Sequence, residues 1–191
     1  MTGNNIVDIK VAATESNWKR TGFLEKIFTQ KEQEYIKHAA TPDEMVWKLW
    51  SMKESAYKIY TRQYGGRFFA PKKLSCTLLS STSGQVTINT ISYQTITSST
   101  NGYIYTTARQ EKYGTDFLNY CCEIHGHFTN QQKHVYKKLV ASYAANNGED
   151  NRNFTIIKDK NNVPFMYCKK EQQKIPVSIT HHGNFAAFTI N

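Results

Sequence analysis

The segment from Trp50 to Lys58, WSMKESAYK, contains the residues whose types and spacing are best suited to chemistry. Glu54 and Lys58 lie four residues apart, and side chains at this spacing share one face of a helix. A carboxylate and an ammonium group on one face can act together on a single small object, such as a phosphate bound to a metal ion. Surface Glu–Lys pairs at this spacing are also common decoration of a solvated helix. The spacing alone therefore leaves a functional pair and a solvated pair open.

A second group of reactive side chains alternates along a predicted strand: Cys121, Glu123, His125 and His127. Alternation in a strand places such residues on one face of a sheet, where they could bind zinc. A zinc site without any ligand from a loop is unusual. A half-buried face of a sheet is therefore the favoured interpretation of this pattern.

The composition is that of a globular protein with a positive charge. The chain has 191 residues, of which 39% are hydrophobic and 13% aromatic, and its net charge is +9. This length suffices for one core or two small lobes, and the charge favours nucleic acid, acidic proteins or phosphorylated ligands as partners. No apolar run has the length of a membrane span, and the N-terminal residues do not resemble a signal peptide. We expect a soluble, cytoplasmic protein whose four cysteines are free thiols.

The helix that carries Glu54 and Lys58 has the clearest start signal in the chain. Thr41 is suited to the N-cap, Pro42 to the first helical position and Glu44 to the third. The helix is predicted to run to about residue 62, before Gly65 and Gly66. Its predicted buried stripe comprises Met45, Leu49, Met52, Ala56 and Ile59. Glu54 and Lys58 lie on a different face, so the pair is presented by a helix anchored through its other side.

The remaining pattern predicts strand, helix and antiparallel strands in each half of the chain. A first strand over 5–12 carries Asp8, and a capping box at Thr29 begins a helix that ends near residue 39. Further strands are predicted over 74–79, 86–93, 103–109, 117–125, 154–157, 163–167, 177–180 and 185–190, with a helix over 129–146. We therefore predict an α+β fold of two pseudo-repeated lobes, 1–110 and 111–191, each with helices packed on an antiparallel sheet. A single compact domain is the alternative.

Three motifs resemble the 4′-phosphopantetheinyl transferases, the enzymes that prime carrier proteins. Val7-Asp8-Ile9 places an acid on the first strand, and WSMKESAYK fits the pattern W-[SCT]-x-K-E-[AS]-x-x-K of that family. The third motif, PVSITHHG over 176–183, is similar to the family's Ser-His-Ser/Thr turn, with Thr180 in the place of Ser. The resemblance covers about residues 6–79 and 154–190, and it implies the family's fold.

The resemblance implies transfer of the 4′-phosphopantetheine arm of coenzyme A to a serine of an apo acyl or peptidyl carrier protein, with release of adenosine 3′,5′-bisphosphate. Asp8 and Glu54 would bind a magnesium ion, which would hold the pyrophosphate of coenzyme A. Lys58 would contact the phosphates and help the leaving group depart. His181, with Thr180, would bind a phosphate of coenzyme A. Glu54, directly or through water, would also help to deprotonate the acceptor serine.

Two features depart from the common pattern of the family. Many members carry a second acid two residues after the strand Asp, where this chain has Lys10. In a strand, Lys10 would point to the same side as Asp8. Either water completes the metal shell, or Lys10 contacts a phosphate of coenzyme A. The motif with His181 also comes last in the chain, as in the small synthases that form their site between subunits. We favour a site across two lobes of one chain, and a site between subunits stays open.

The resemblance implies an acidic carrier protein and coenzyme A as partners, and neither nucleic acid nor a membrane. It leaves open whether the carrier serves fatty acid, polyketide or peptide synthesis. The alternative function is a basic, non-catalytic module that binds nucleic acid or another polyanion. Binding by such a module would be sensitive to salt and independent of Glu54.

Overall fold

Two antiparallel sheets of five strands, each accompanied by a long helix, form the fold. The computed structural model describes residues 1–110, 117–124 and 128–190. The first half contains β1 (Thr2–Asp8), α1 (Ile9–Glu15), α2 (Phe23–Ile27), α3 (Gln30–Lys37), α4 (Pro42–Tyr64), β2 (Ser75–Leu78), β3 (Ser83–Ile88), β4 (Ile91–Ser99) and β5 (Tyr103–Gln110). The second contains β6 (Leu118–Glu123), α5 (Phe128–Asn147), β7 (Phe154–Lys158), β8 (Pro164–Cys168), β9 (Gln173–His182) and β10 (Phe185–Ile190).

The two sheets have the same strand order. The first follows β1-β5-β4-β3-β2 and the second β6-β10-β9-β8-β7, so in each the first strand pairs with the last. The predicted α+β fold is confirmed, and the common strand order matches the predicted pseudo-repeat. The predicted boundary between residues 110 and 111 borders a segment outside the described residues, so it stays a prediction. In the part of the chain that the model describes, no helix is both long and apolar enough to span a membrane.

Helix α4 confirms the prediction made from its start signals and apolar spacing. Leu49, Met52, Ala56 and Ile59 are completely buried, whereas Met45 is only partly buried. The helix is also buried on a second side, where it packs on β1. At this contact a Cβ atom on Gly3 would collide with the carbonyl oxygen of Ser55. A glycine is therefore required for the strand to lie this close to the helix.

Three predicted strands differ from those observed. The strand predicted over 5–12 ends at Asp8, because the Asp8 carboxylate caps a helix that begins at Ile9. The strand predicted over 86–93 is two strands, β3 and β4, which meet at a turn where Asn89 has a φ of 53°. The strand predicted over 177–180 is longer: β9 runs from Gln173 to His182, so the turn before β10 consists of Gly183 and Asn184.

Candidate active site

The free edge of β1 lies beside β9 of the other lobe, and side chains of β9 satisfy its backbone. The amide of Asn4 donates to Oγ of Ser178 (3.1 Å), and the amide of Ile6 donates to Oγ1 of Thr180 (3.3 Å). The amide of Asp8 donates to Nδ1 of His182 (2.9 Å). Every second residue of β9 faces this edge, as expected for a strand with its side-chain period of two. The Thr180 hydroxyl is thus one of three β9 side chains that accept hydrogen bonds from the backbone of β1.

Lys58 also joins the two lobes. Its Nζ donates to the carbonyl oxygen of Asn4 (2.7 Å) on β1 and to that of Ile179 (3.3 Å) on β9. Burial lowers the pKa of Lys58 to about 8, while attraction to Glu54 raises this pKa and repulsion by Arg62 lowers it further. The ammonium group therefore sits where β1, β9 and α4 meet.

Glu54 lies on the same side of α4 as Lys58, in a partly buried position. Burial raises the pKa of its carboxyl group, and the positive charge of Lys58 opposes this shift. Within the described ranges, the carboxylate accepts no hydrogen bond and forms no ion pair closer than 4 Å. Among the residues that the model describes, Glu54 thus has no hydrogen-bonded or ion-paired partner, unlike the fully bonded carboxylate of Glu32 in the same lobe.

His181 lines a cleft of about 320 Å³ between α4, the α1–α2 region and the end of β9. Partial burial lowers the pKa of His181, and the positive charge of Lys58 lowers this pKa further, so the ring is neutral at pH 7. The cleft wall includes the indole rings of Trp47 and Trp50. Such a wall suits a ligand with a planar or apolar portion.

Glu54 lines a second, smaller pocket of about 100 Å³ beside this cleft. Trp50 and Phe69 contribute to both, so these two side chains separate Glu54 from the cleft of His181. Phe69 is 68% exposed, which is unusual for so large an apolar side chain. The structure thus brings Glu54, Lys58 and His181 to one region of the lobe junction.

Asp8 is buried beneath the β9–β10 turn, and both of its carboxylate oxygens are engaged. Oδ1 accepts hydrogen bonds from the amides of Lys10 (3.0 Å) and Val11 (3.1 Å), and Oδ2 accepts one from the amide of Asn184 (3.0 Å). A Cβ atom on Gly183 would collide with Oδ2, so the turn can close on Asp8 only with glycine there. Asp8 therefore caps α1 and holds the turn, and its role as a metal ligand stays a prediction.

Lys10 is exposed in the first turn of α1. The argument that strand alternation directs it to the side of Asp8 is wrong, because the strand has ended. A contact between Lys10 and a phosphate of coenzyme A stays a prediction.

A magnesium ion fits Glu54 better than it fits Asp8. Magnesium takes oxygen ligands and commonly uses one or two carboxylates together with substrate phosphate and water. Glu54 offers a carboxylate with no competing partner among the described residues, whereas the Asp8 oxygens already accept three amide hydrogens and the residue is 2% exposed. No cluster of three or more His, Cys, Asp or Glu side chains suited to a metal occurs in the described ranges.

The sequence did not identify Asn5 as a site residue. Its Oδ1 accepts a hydrogen bond from the Thr180 hydroxyl (3.4 Å), its carbonyl accepts one from Ser51 (3.1 Å), and it lines the cleft with His181. The available signal was a polar side chain directly before the apolar Ile6 and Val7 of the first strand. Of the alternative zinc group, His125 and His127 lie outside the described residues.

Replacing Asp8 with Ala is expected to lower the free energy of unfolding by about 2–3 kcal/mol, because three partly buried hydrogen bonds from backbone amides are lost. Thermal unfolding measures this loss. Glu25→Ala, at an exposed position in the first turn of α2, is the matched control. If Asp8 also binds magnesium, the concentration of the ion that gives half-maximal activity should rise. Unchanged stability would contradict the capping role.

Comparisons with known proteins bear on the first lobe. A family model described as the 4′-phosphopantetheinyl transferase superfamily matches residues 1–113, which include Asp8, Glu54 and Lys58 but not Thr180 or His181. The crystal structure of the holo-[acyl-carrier-protein] synthase from Thermotoga maritima is 14% identical, with a TM-score of 0.45 over 70% of this chain and 73% of that one. The search of curated proteins gave no match.

Proposed function

The chain belongs to the 4′-phosphopantetheinyl transferase superfamily, and from this premise we propose that it transfers the 4′-phosphopantetheine arm of coenzyme A to a serine of an apo acyl or peptidyl carrier protein. Adenosine 3′,5′-bisphosphate is the second product, and the reaction depends on magnesium. A cytoplasmic location is part of the proposal, supported by four cysteines that are all free thiols.

The observation that carries the proposal is the position of Lys58 and Glu54 on α4 at the junction of the two lobes. Lys58 reaches backbone carbonyls of both β1 and β9, and Glu54 one turn earlier has an unpaired carboxylate. A cation and an available carboxylate side by side are what a diphosphate and an attacking hydroxyl require. Because one chain supplies both strands, we propose a site across the two lobes of a single chain.

In the proposed reaction, the serine oxygen attacks the phosphorus atom that bears the pantetheine arm. The bond from this phosphorus to the bridging oxygen breaks, and the bridging oxygen leaves with adenosine 3′,5′-bisphosphate. Glu54 accepts the serine proton, directly or through water, and its raised pKa makes it a better base than an exposed carboxylate. Lys58 neutralises the negative charge that develops on the leaving phosphate.

Magnesium, when bound, would supply further positive charge at the diphosphate, with Glu54 as the proposed carboxylate ligand. Asp8 is proposed as the second ligand. It would use the lone pairs of its carboxylate oxygens that remain free after these oxygens accept three amide hydrogen bonds. His181, a neutral imidazole in the cleft, is proposed to donate a hydrogen bond to a phosphate of coenzyme A. Thr180 is proposed to act with it, from a position that the amide of Ile6 already fixes.

The proposed carrier protein is acidic, which agrees with the net charge of +9. Basic side chains border the cleft: Lys26 lies over the ring of Phe69, and Arg20 lies over the ring of Phe23. We propose that this rim receives the carrier protein, whose serine must approach the pocket of Glu54 beside Phe69.

The reaction is tested by incubating the protein with an apo acyl carrier protein, coenzyme A and magnesium, followed by mass spectrometry of the carrier. A mass increase equal to that of the phosphopantetheine arm is expected. Replacing the acceptor serine of the carrier with Ala is the control and should abolish the increase. An unmodified carrier from each of several pathways would contradict the proposed function.

The pH dependence of kcat/KM for coenzyme A is expected to fall on the alkaline side near pH 8. Lys58 contributes only when protonated, and its pKa of about 8 means that the charge is lost as the pH rises through this value. The profile is measured from pH 6 to 10 in the wild type and in Lys58→Arg. Because guanidinium remains protonated at these pH values, the alkaline limb should shift upward in the variant. An identical limb in both proteins would exclude Lys58 as its source.

A further inference from the structure

Arg62 lies one turn beyond Lys58 on α4, so Glu54, Lys58 and Arg62 follow one another at four-residue steps along the lobe junction. Its Nη1 atom is buried and has no hydrogen-bond partner in the described part of the chain. Buried polar atoms in folded proteins are nearly always paired, and an unpaired cationic group is the costliest exception. An unpaired guanidinium nitrogen at this position therefore requires an explanation.

The groups around Arg62 do not neutralise it. Lys58 repels it from the preceding turn, and Asp159, in the β7–β8 turn of the other lobe, attracts it without a salt bridge between the two described side chains. Oδ1 of Asp159 is engaged by the amides of Asn161 (2.8 Å) and Val163 (2.9 Å). Burial lowers the pKa of Arg62 to about 10, which leaves it protonated at physiological pH. The junction thus holds two cations, and the unpaired carboxylate of Glu54 lies next to Lys58.

Arg67 provides a contrast on the same side of the junction. Its Nη2 donates to the carbonyl oxygen of Asn161 (2.7 Å), so this guanidinium joins the segment after α4 to the β7–β8 turn. Arg62 makes no such bond within the described residues, although it lies close to the same turn. Two arginines near one turn therefore have different roles, and only Arg67 has a structural one.

We propose that Arg62 binds a phosphate group of coenzyme A beside Lys58. This inference rests on the proposed function and adds a binding residue to it. A guanidinium suits this task because its N–H groups match the oxygen atoms of a phosphate. Bound phosphate would supply the hydrogen-bond acceptor that Nη1 of Arg62 lacks among the described residues.

The test is isothermal titration of the full chain with coenzyme A, 3′-dephospho-coenzyme A and pyrophosphate. Arg62→Met is expected to weaken coenzyme A binding about 10- to 100-fold, the loss typical of hydrogen bonds to a charged group. Arg67→Met is the matched control and should bind coenzyme A as the wild type does. A loss that disappears with 3′-dephospho-coenzyme A assigns Arg62 to the 3′-phosphate, and a loss that persists with pyrophosphate assigns it to the diphosphate.

Thermal unfolding separates this role from a structural one. Arg62→Met removes an unpaired buried charge, so its Tm should equal or exceed that of the wild type. Asp159→Asn keeps Arg62 and removes a competing negative charge, so it should bind coenzyme A at least as tightly as the wild type. Wild-type affinity in Arg62→Met would overturn the proposal, as would a lower Tm with unchanged affinity.

The failure of the proposed function gives a different result. A wild type that binds pyrophosphate but not coenzyme A, with weaker pyrophosphate binding in Arg62→Met, would contradict the proposed transferase activity. It would still support the binding of a phosphate group by Arg62. A wild type that binds neither compound would overturn both.

Discussion

Replacing Glu54 with Gln is expected to reduce the rate of transfer at least about 100-fold, the usual contribution of a general base. The amide has nearly the same shape as the carboxylate, but it can neither accept the serine proton nor provide a negative charge for magnesium. Because no described residue pairs with the Glu54 carboxylate, the substitution breaks no hydrogen bond in the folded protein. Stability should change little, since the removal of a partly buried charge and the loss of its attraction to Lys58 oppose each other.

The rate is measured in single turnovers with saturating coenzyme A and apo carrier protein, so that binding does not limit it. Glu44→Gln, at an exposed position in the first turn of the same helix, is the matched control and should retain the full rate. Thermal unfolding of both variants shows whether the fold is intact. A Glu54→Gln protein with the wild-type rate would remove Glu54 from the mechanism.

The sequence predicts α4 well because its signals are local. Pro42 sets its start, Gly65 its end, and the spacing of Leu49, Met52, Ala56 and Ile59 sets its buried face. The hairpin of β7 and β8 is equally local and is confirmed at both strands. The turn at Asn89 was missed because residue types typical of strands stand on both sides of it, although the apolar alternation shifts by one residue between Ile88 and Ile91.

The candidate site was only partly predictable, because its geometry depends on contacts between distant parts of the chain. The sequence predicts a polar turn at His181 and His182. In the structure these residues end strand β9, whose Ser178, Thr180 and His182 accept hydrogen bonds from the edge of β1. These partners are about 174 residues apart. No local pattern reveals that a hydroxyl or an imidazole will serve a strand edge rather than a ligand.

Asp8 shows the same limit at short range. A carboxylate at the end of a strand can be a metal ligand or a helix cap. The residues next to Asp8 in the sequence do not distinguish these two roles. The structure shows the cap, because the amides of Lys10 and Val11 turn back to Oδ1. Magnesium binding at Asp8 has to coexist with these bonds.

The substitution Lys53→Met, next to Glu54 in the motif, is expected to lower stability more than any other substitution proposed above. Lys53 is 1% exposed, and its Nζ forms a buried ion pair with Glu32 of α3 (2.8 Å) and donates to the carbonyl oxygens of Pro71 and Leu74. Lys53→Met leaves the buried carboxylate of Glu32 without its counter-charge. Breaking a buried pair on one side typically costs about 3–5 kcal/mol, which should lower Tm by about 10 °C in a chain of this size.

The double variant Lys53→Met, Glu32→Gln is expected to recover more than half of this loss. It removes both charges together, and the Gln carbonyl can still accept a hydrogen bond from the amide of Thr29 or Cys76. Lys31→Met, at an exposed position on α3, controls for the loss of a surface lysine. Thermal unfolding of the wild type, Lys53→Met, Glu32→Gln and the double variant measures the coupling between Lys53 and Glu32. Equal destabilisation in the single and double variants would show that the carbonyl contacts of Lys53, and not its charge, stabilise the helix that presents Glu54.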